Sequence, residues 1–208
     1  VASADNLLNY ADDTLQLENV SLAAVADALG TPTYVYSKAH ITQGIETLND
    51  AFAGVPLSVH YSVKANSNLA VLALFKELGA GFDIVSGGEL SRVLAVGGDP
   101  DSVIFSGVGK SVEEIDFALK VGIECFNIES EAELQRIAQR ASVLGQVAPI
   151  SLRVNPNVDA QTHPYISTGL KQNKFGVAPE LALELYQQAA ENPQLRIIGI
   201  DCHIGSQI

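Results

Sequence analysis

Methionine and tryptophan are absent from this chain, cysteine occurs only twice, and cations number half the anions: 12 Lys and Arg against 24 Asp and Glu. Each shortage excludes something. The acid excess leaves a net charge of -12 and a pI near 4.6. A surface of that sign repels phosphate backbones and anionic membranes, so nucleic acid is not an expected partner. Aspartates and glutamates precede the first cation, Lys38, which is the reverse of the basic start of a secretory signal. No apolar run approaches the roughly 18 residues of a membrane span. Cys125 and Cys202 lie in apolar stretches far apart in sequence, which points to reduced thiols and makes the cytoplasm the expected compartment. Without a methionine, Val1 is not expected to be the translated start. The chain also stops at Gln207-Ile208, directly after a strand-like run, so it is expected to be a fragment of a longer protein.

What is present suits a globular domain with a sizeable core: 208 residues, 47% hydrophobic and 17% charged. Short β-rich apolar runs recur at Leu57 to Val63, Phe82 to Val85, Val103 to Phe105, Cys125 to Ile128, Ile150 to Val154 and Leu195 to His203. Between them, apolar residues take helical spacing, as in Leu69, Leu72, Phe75 and Leu78. This βα repeat, with a period of about twenty to twenty-five residues, is that of (β/α) barrels or doubly wound sheets. Ser86 to Glu89, Ser111 to Glu114 and Ser130 to Glu133 each match S-x-x-E, the capping box that opens a helix. A TIM-type (β/α)8 barrel needs eight strands, and six candidates follow residue 56, so an incomplete barrel is expected. Residues 1-37 form a leading segment, with a strand candidate at Tyr34-Val35-Tyr36. A helix from Lys38 to about Phe52 begins the barrel part, 38-208.

Side-chain alternation along the first barrel strand puts Val59, Tyr61 and Val63 on one side and His60, Ser62 and Lys64 on the other. The apolar set suits packing against helices, which leaves Lys64 facing the barrel axis at a C-terminal strand end, where barrel enzymes place their chemistry. An inward, partly desolvated lysine there could attack an aldehyde, whereas an arbitrary strand-end lysine snorkels to solvent. Asp83 and Arg153 also end strands; a site role and a structural ion pair on the rim both remain open for them. Gly107-Val108-Gly109-Lys110-Ser111 contains the GKS of a phosphate-binding loop. The glycine required five positions before Gly109 is Ile104, so a nucleotide site is rejected.

Several motifs stand in one order: Tyr61-Ser62-Val63-Lys64-Ala65-Asn66, the run Gly81 to Leu90, Phe105 to Ser111, Phe126 to Ser130, Arg153-Val154-Asn155-Pro156, and His203-Ile204-Gly205-Ser206-Gln207. Together they resemble the barrel-type (fold type III) pyridoxal phosphate (PLP) decarboxylases, and the resemblance extends upstream to Gly30-Thr31-Pro32. The loop from His163 to Leu170, running into Lys174-Phe175-Gly176, is similar to that of the diaminopimelate decarboxylases rather than the ornithine or arginine enzymes. Ser62 departs from the alanine common in the family; its hydroxyl could face the polar interior.

The resemblance implies PLP-dependent decarboxylation of meso-2,6-diaminopimelate to L-lysine and CO2, with Lys64 bonded to the cofactor and His203 stacked on its ring. It implies Asp83 and Arg153 near the cofactor, and Gly205 and Ser206 near its phosphate, where small residues permit close approach. It further implies a homodimer, and a leading segment that belongs to or contacts a C-terminal β domain in the complete protein. No metal is expected. The family's glycine-rich phosphate loop, the acidic partner of the pyridine nitrogen, the substrate arginine, and a cysteine and tyrosine of the C-terminal domain are not in this chain. Catalysis by the chain alone is therefore not expected. Alternatives are another amino-acid decarboxylase on this barrel, or a non-catalytic PLP carrier.

Overall fold

The computed structural model describes residues 7-156, 158 and 175-205, and these fall into two compact units divided between Val59 and His60. The first unit opens with a three-stranded antiparallel meander, β1 (Leu8–Ala11), β2 (Thr14–Leu17) and β3 (Val20–Ser21). Its two tight turns place Asp12 and Asp13, then Glu18 and Asn19, at positive φ. Turns of that handedness match strand twist, and short Asp and Asn side chains tolerate them. Helix α1 (Leu22–Leu29) is capped by Ser21, and α2 (Lys38–Ala51) by Ser37. Glu18 accepts from the Ser37 hydroxyl and from Ala39 N (2.8 Å), tying the second turn to the start of α2. Tyr34-Val35-Tyr36, expected to be a strand, joins no ladder, and Tyr34 and Tyr36 are exposed. Aromatic and β-branched residues favour a sheet only where a partner strand is at hand.

The second unit is a parallel sheet of six strands in sequential order: β4 (His60–Ser62), β5 (Gly81–Ile84), β6 (Val103–Phe105), β7 (Cys125–Ile128), β8 (Ala148–Arg153) and β9 (Leu195–Asp201). Helices α3 (Leu69–Glu77), α4 (Gly87–Ala95), α5 (Val112–Val121), α6 (Glu131–Leu144) and α7 (Pro179–Glu191) connect them. Sequential parallel strands with helical crossovers make a partial (β/α) barrel. One strand face carries Phe82, Ile84, Val103, Phe105, Phe126, Ile128, Ile150 and Leu152. All are buried in one core with helix residues such as Leu72, Leu90, Ile115, Ile137 and Leu185. Tyr61 stacks on Phe75 of α3, with centroids 3.8 Å apart.

Serines cap the three expected helices, each accepting from the N–H three residues on. A reciprocal box closes only at Ser111, where Glu114 accepts from the Ser111 N–H. Glu89 and Glu133 reach one residue further back instead, to Val85 N and Glu129 N (2.8 Å each). The strand ends of β5 and β7 thereby gain a partner for a backbone donor that the ladder leaves free.

Candidate active site

The alternate residues of the same strands form the opposite face, and at the C-terminal strand ends they enclose a cleft of about 220 Å³. Lys64, Asp83, Ile104, Ser106, Asn127, Arg153, Asp201 and His203 line it. Four residues expected at the site, Lys64, Asp83, Arg153 and His203, are thus brought together from segments up to 139 positions apart. Gly205 is partly buried with φ +150°, a conformation that glycine alone takes readily, but it does not line the cleft. Ser206 and the loop from His163 to Lys174 lie outside the described residues.

Lys64 differs from expectation in two respects. It sits in a 3₁₀ turn, Val63–Ala65, just after β4, and it is exposed rather than partly desolvated. The turn lifts the backbone off the ladder, so the side chain meets the cleft from its rim. Its Nζ has no hydrogen-bond or ion-pair partner among the described residues. Lys110 provides the contrast: buried, 3% exposed, it donates to Gly107 O (2.7 Å), Asn127 O (2.8 Å) and Glu133 Oε1 (2.6 Å). The GKS lysine is therefore a cross-strand brace whose three donors are all used, which leaves nothing to hold a phosphate.

A polar ladder crosses the cleft floor over five strands. Ser62 Oγ donates to Asp83 Oδ2 (3.2 Å) and Ser106 Oγ to Asp83 Oδ1 (2.5 Å). Asn127 Nδ2 donates to Ser106 Oγ (3.1 Å), and Ser151 Oγ to Asn127 Oδ1 (2.5 Å). Asp83 is in no ion pair among the described residues, and its carboxylate is held by hydroxyls. Arg153 is both cleft wall and ion pair: Nη1 meets Glu129 Oε1 at 3.0 Å, Nε lies 3.9 Å from Asp201 Oδ2, and its guanidinium covers the Phe175 ring at 5.2 Å. Gly176, at φ +74°, lets the chain pass so close that a Cβ there would lie 2.8 Å from Arg153 O.

The cleft perturbs its acids and bases. Burial, followed by the charges of Arg153 and Lys64, pushes the His203 imidazole below its usual 6.5, favouring the neutral ring. Burial also raises the Asp201 carboxyl, against the pull of Arg153 and with help from Asp83 and Glu129.

Asp201, Ser106 and Asn127 were not anticipated. Asp201 shares strand parity with His203 and could have been found by that signal. Ser106 and Asn127 carried none, because short neutral polar residues at strand positions are common and their value comes from what lies opposite.

Among the described residues no helix is long and apolar enough to cross a membrane. The chain is 58% identical over 200 residues to diaminopimelate decarboxylase of Pseudomonas aeruginosa, covering 96% of this chain and 48% of that protein. It is 59% identical over 195 residues to the enzyme of that name from Neisseria meningitidis serogroup B, covering 94% of this chain and 47% of the relative. It thus spans about half the length of the curated relatives it matches. The crystal structure of diaminopimelate decarboxylase from Helicobacter pylori complexed with L-lysine superposes with a TM-score of 0.87 at 46% identity, over 89% of this chain and 47% of that one. The family model described as the pyridoxal binding domain of pyridoxal-dependent decarboxylases matches residues 38–208, and on that match the chain belongs to the pyridoxal-dependent decarboxylase family.

Proposed function

We propose that the protein carrying this chain converts meso-2,6-diaminopimelate to L-lysine and CO2, with pyridoxal phosphate bonded to Lys64. The observation that carries this reading is an amine at the rim of a strand-end cleft, without a hydrogen-bond or ion-pair partner among the described residues, in a chain 58% identical to a relative named for that reaction. The cleft suits such a cofactor on its own chemistry. It offers an amine for the aldehyde, an imidazole kept neutral, an oriented carboxylate, a guanidinium, and an apolar contact from Ile104.

Lys64 would hold the cofactor covalently, and His203 would lie against its ring. Arg153 and Asp83 would flank it with opposite charges, each already fixed by partners in the wall. Gly205 and Ser206 would serve the phosphate. When bound, the cofactor supplies an electron sink for the pair left behind as CO2 departs. The protein's part is orientation and electrostatics, which is why its wall groups are held by hydrogen bonds rather than left to solvent. The setting we propose is the cytoplasm, and the assembly a homodimer.

Borohydride reduction of the cofactor-loaded whole protein, followed by peptide mapping, tests the assignment. The label is expected on Lys64. A label on Lys110 or Lys174 would overturn it.

A further inference from the structure

The ladder under Asp83 has a direction that its chemistry imposes. A carboxylate oxygen can only accept, so the single proton of Ser106 is committed to Asp83 Oδ1 at 2.5 Å. Ser106 Oγ can then only accept from Asn127, so the atom facing it must be the amide NH2, at 3.1 Å. The Asn127 carbonyl is left facing Ser151, which must donate, at 2.5 Å; Cys125 Sγ, 3.6 Å away, points its weak donor at the same oxygen. Asn127, Ser151 and Cys125 are all buried, so water is kept from the contacts at the Asn127 carbonyl. An amide can accept at one end and donate at the other across this gap, which a carboxylate or an aliphatic side chain of similar size cannot.

We propose that Asn127 is a positioning residue: by donating to Ser106 Oγ it holds that hydroxyl in place with its proton toward Asp83, and so fixes the orientation of the Asp83 carboxylate in the cleft. This rests on the reading that the cleft holds pyridoxal phosphate. Asn127 acts through Ser106, two strands from Lys64, and its effect falls on cofactor geometry.

The test uses the whole cofactor-loaded protein. Asn127→Asp keeps the shape but replaces the donor with an acceptor, which competes with Asp83 for the Ser106 proton. Asn127→Leu removes both contacts yet leaves that proton free for Asp83. Asn127→Asp is expected to lower kcat about tenfold with KM little changed, since misplacement of a site group acts on the reacting geometry. It should also weaken the visible circular-dichroism band per mole of bound cofactor. Asn127→Leu is expected to lose less kcat and less of the band. Melting temperature is read for each variant, and Ser151→Ala supplies a milder change should Asn127→Asp fail to fold. Loss of melting temperature with wild-type kcat and dichroism per bound cofactor, in Asn127→Leu and in whichever other variant folds, overturns the inference alone. Absence of the Lys64 label from the wild-type protein removes the functional reading and this inference with it.

Discussion

Lys110 and His203 show how differently one fold treats two bases. Lys110 is almost fully buried, and its ion pair with Glu133 is equally enclosed. Removing one partner leaves a buried charge without compensation, so Lys110→Met is expected to cost about 3–5 kcal/mol in urea unfolding. A loss under about 1 kcal/mol would show that the brace is dispensable. His203 is only half-buried, and its value lies in the cleft. His203→Ala is expected to reduce turnover of the whole protein strongly while changing stability by about 1 kcal/mol or less. A collapsed melting temperature with wild-type turnover would instead make it a core residue. Burial and the neighbouring cations lower its folded pKa below the unfolded 6.5, so the unfolded chain binds its proton first. The stability it contributes is present above pH 6.5 and is lost as pH falls through that value to the folded pKa. Burial pushes the Cys125 thiol up to about 11, and alkylation of that side chain at pH 8 is expected only after denaturation, which mass spectrometry would detect.

At the scale of elements, Glu114 joins two βα units. One oxygen accepts from Ser111 N (3.0 Å) to close the cap of α5, and the other from Gly87 N (2.7 Å) at the start of α4. The bond from Ser111, with help from Gly87, holds the Glu114 carboxyl below its ordinary 4.5. A lowered folded pKa means that the stabilisation is present above the unfolded value and is lost as pH falls through the folded one. Glu114→Gln is therefore expected to destabilise by about 1 kcal/mol at pH 7, and the gap in urea midpoint should narrow below pH 4.5. A gap independent of pH would assign the effect to packing. The S-x-x-E spacing announced all three helix starts. It did not say where each glutamate would reach, because the spare backbone donor depends on where the preceding strand leaves its ladder.

For the molecule as a whole, the described sheet ends on β4 and β9, and β9 leaves Ile197, Ile198 and Ile200 exposed. Unpaired edges beside apolar side chains associate. The 208-residue polypeptide made by itself is expected to self-associate in sedimentation and to release no lysine from diaminopimelate; turnover near that of the whole protein would mean that the site has been misplaced. The six parallel strands, four of the five crossover helices and the strand-end placing of Asp83, Arg153 and His203 were legible in the sequence, because alternation and helical periodicity are local properties of the chain; α7, which no S-x-x-E box opens, was not singled out. The meander of residues 8–21 was not, since its strands are short and its turns depend on Asp, Glu and Asn at positive φ. Nor was the partnership of Arg153 with Asp201: the register of β8 on β9 slips after Ile150, skipping Ile198, and only that slip brings Asp201 opposite Arg153. The sequence by itself determined which residues alternate and where elements begin. Tertiary structure alone decided which polar groups meet, because the partners of Lys110, Asp83 and Asn127 lie about twenty residues away and no local pattern encodes a contact across strands.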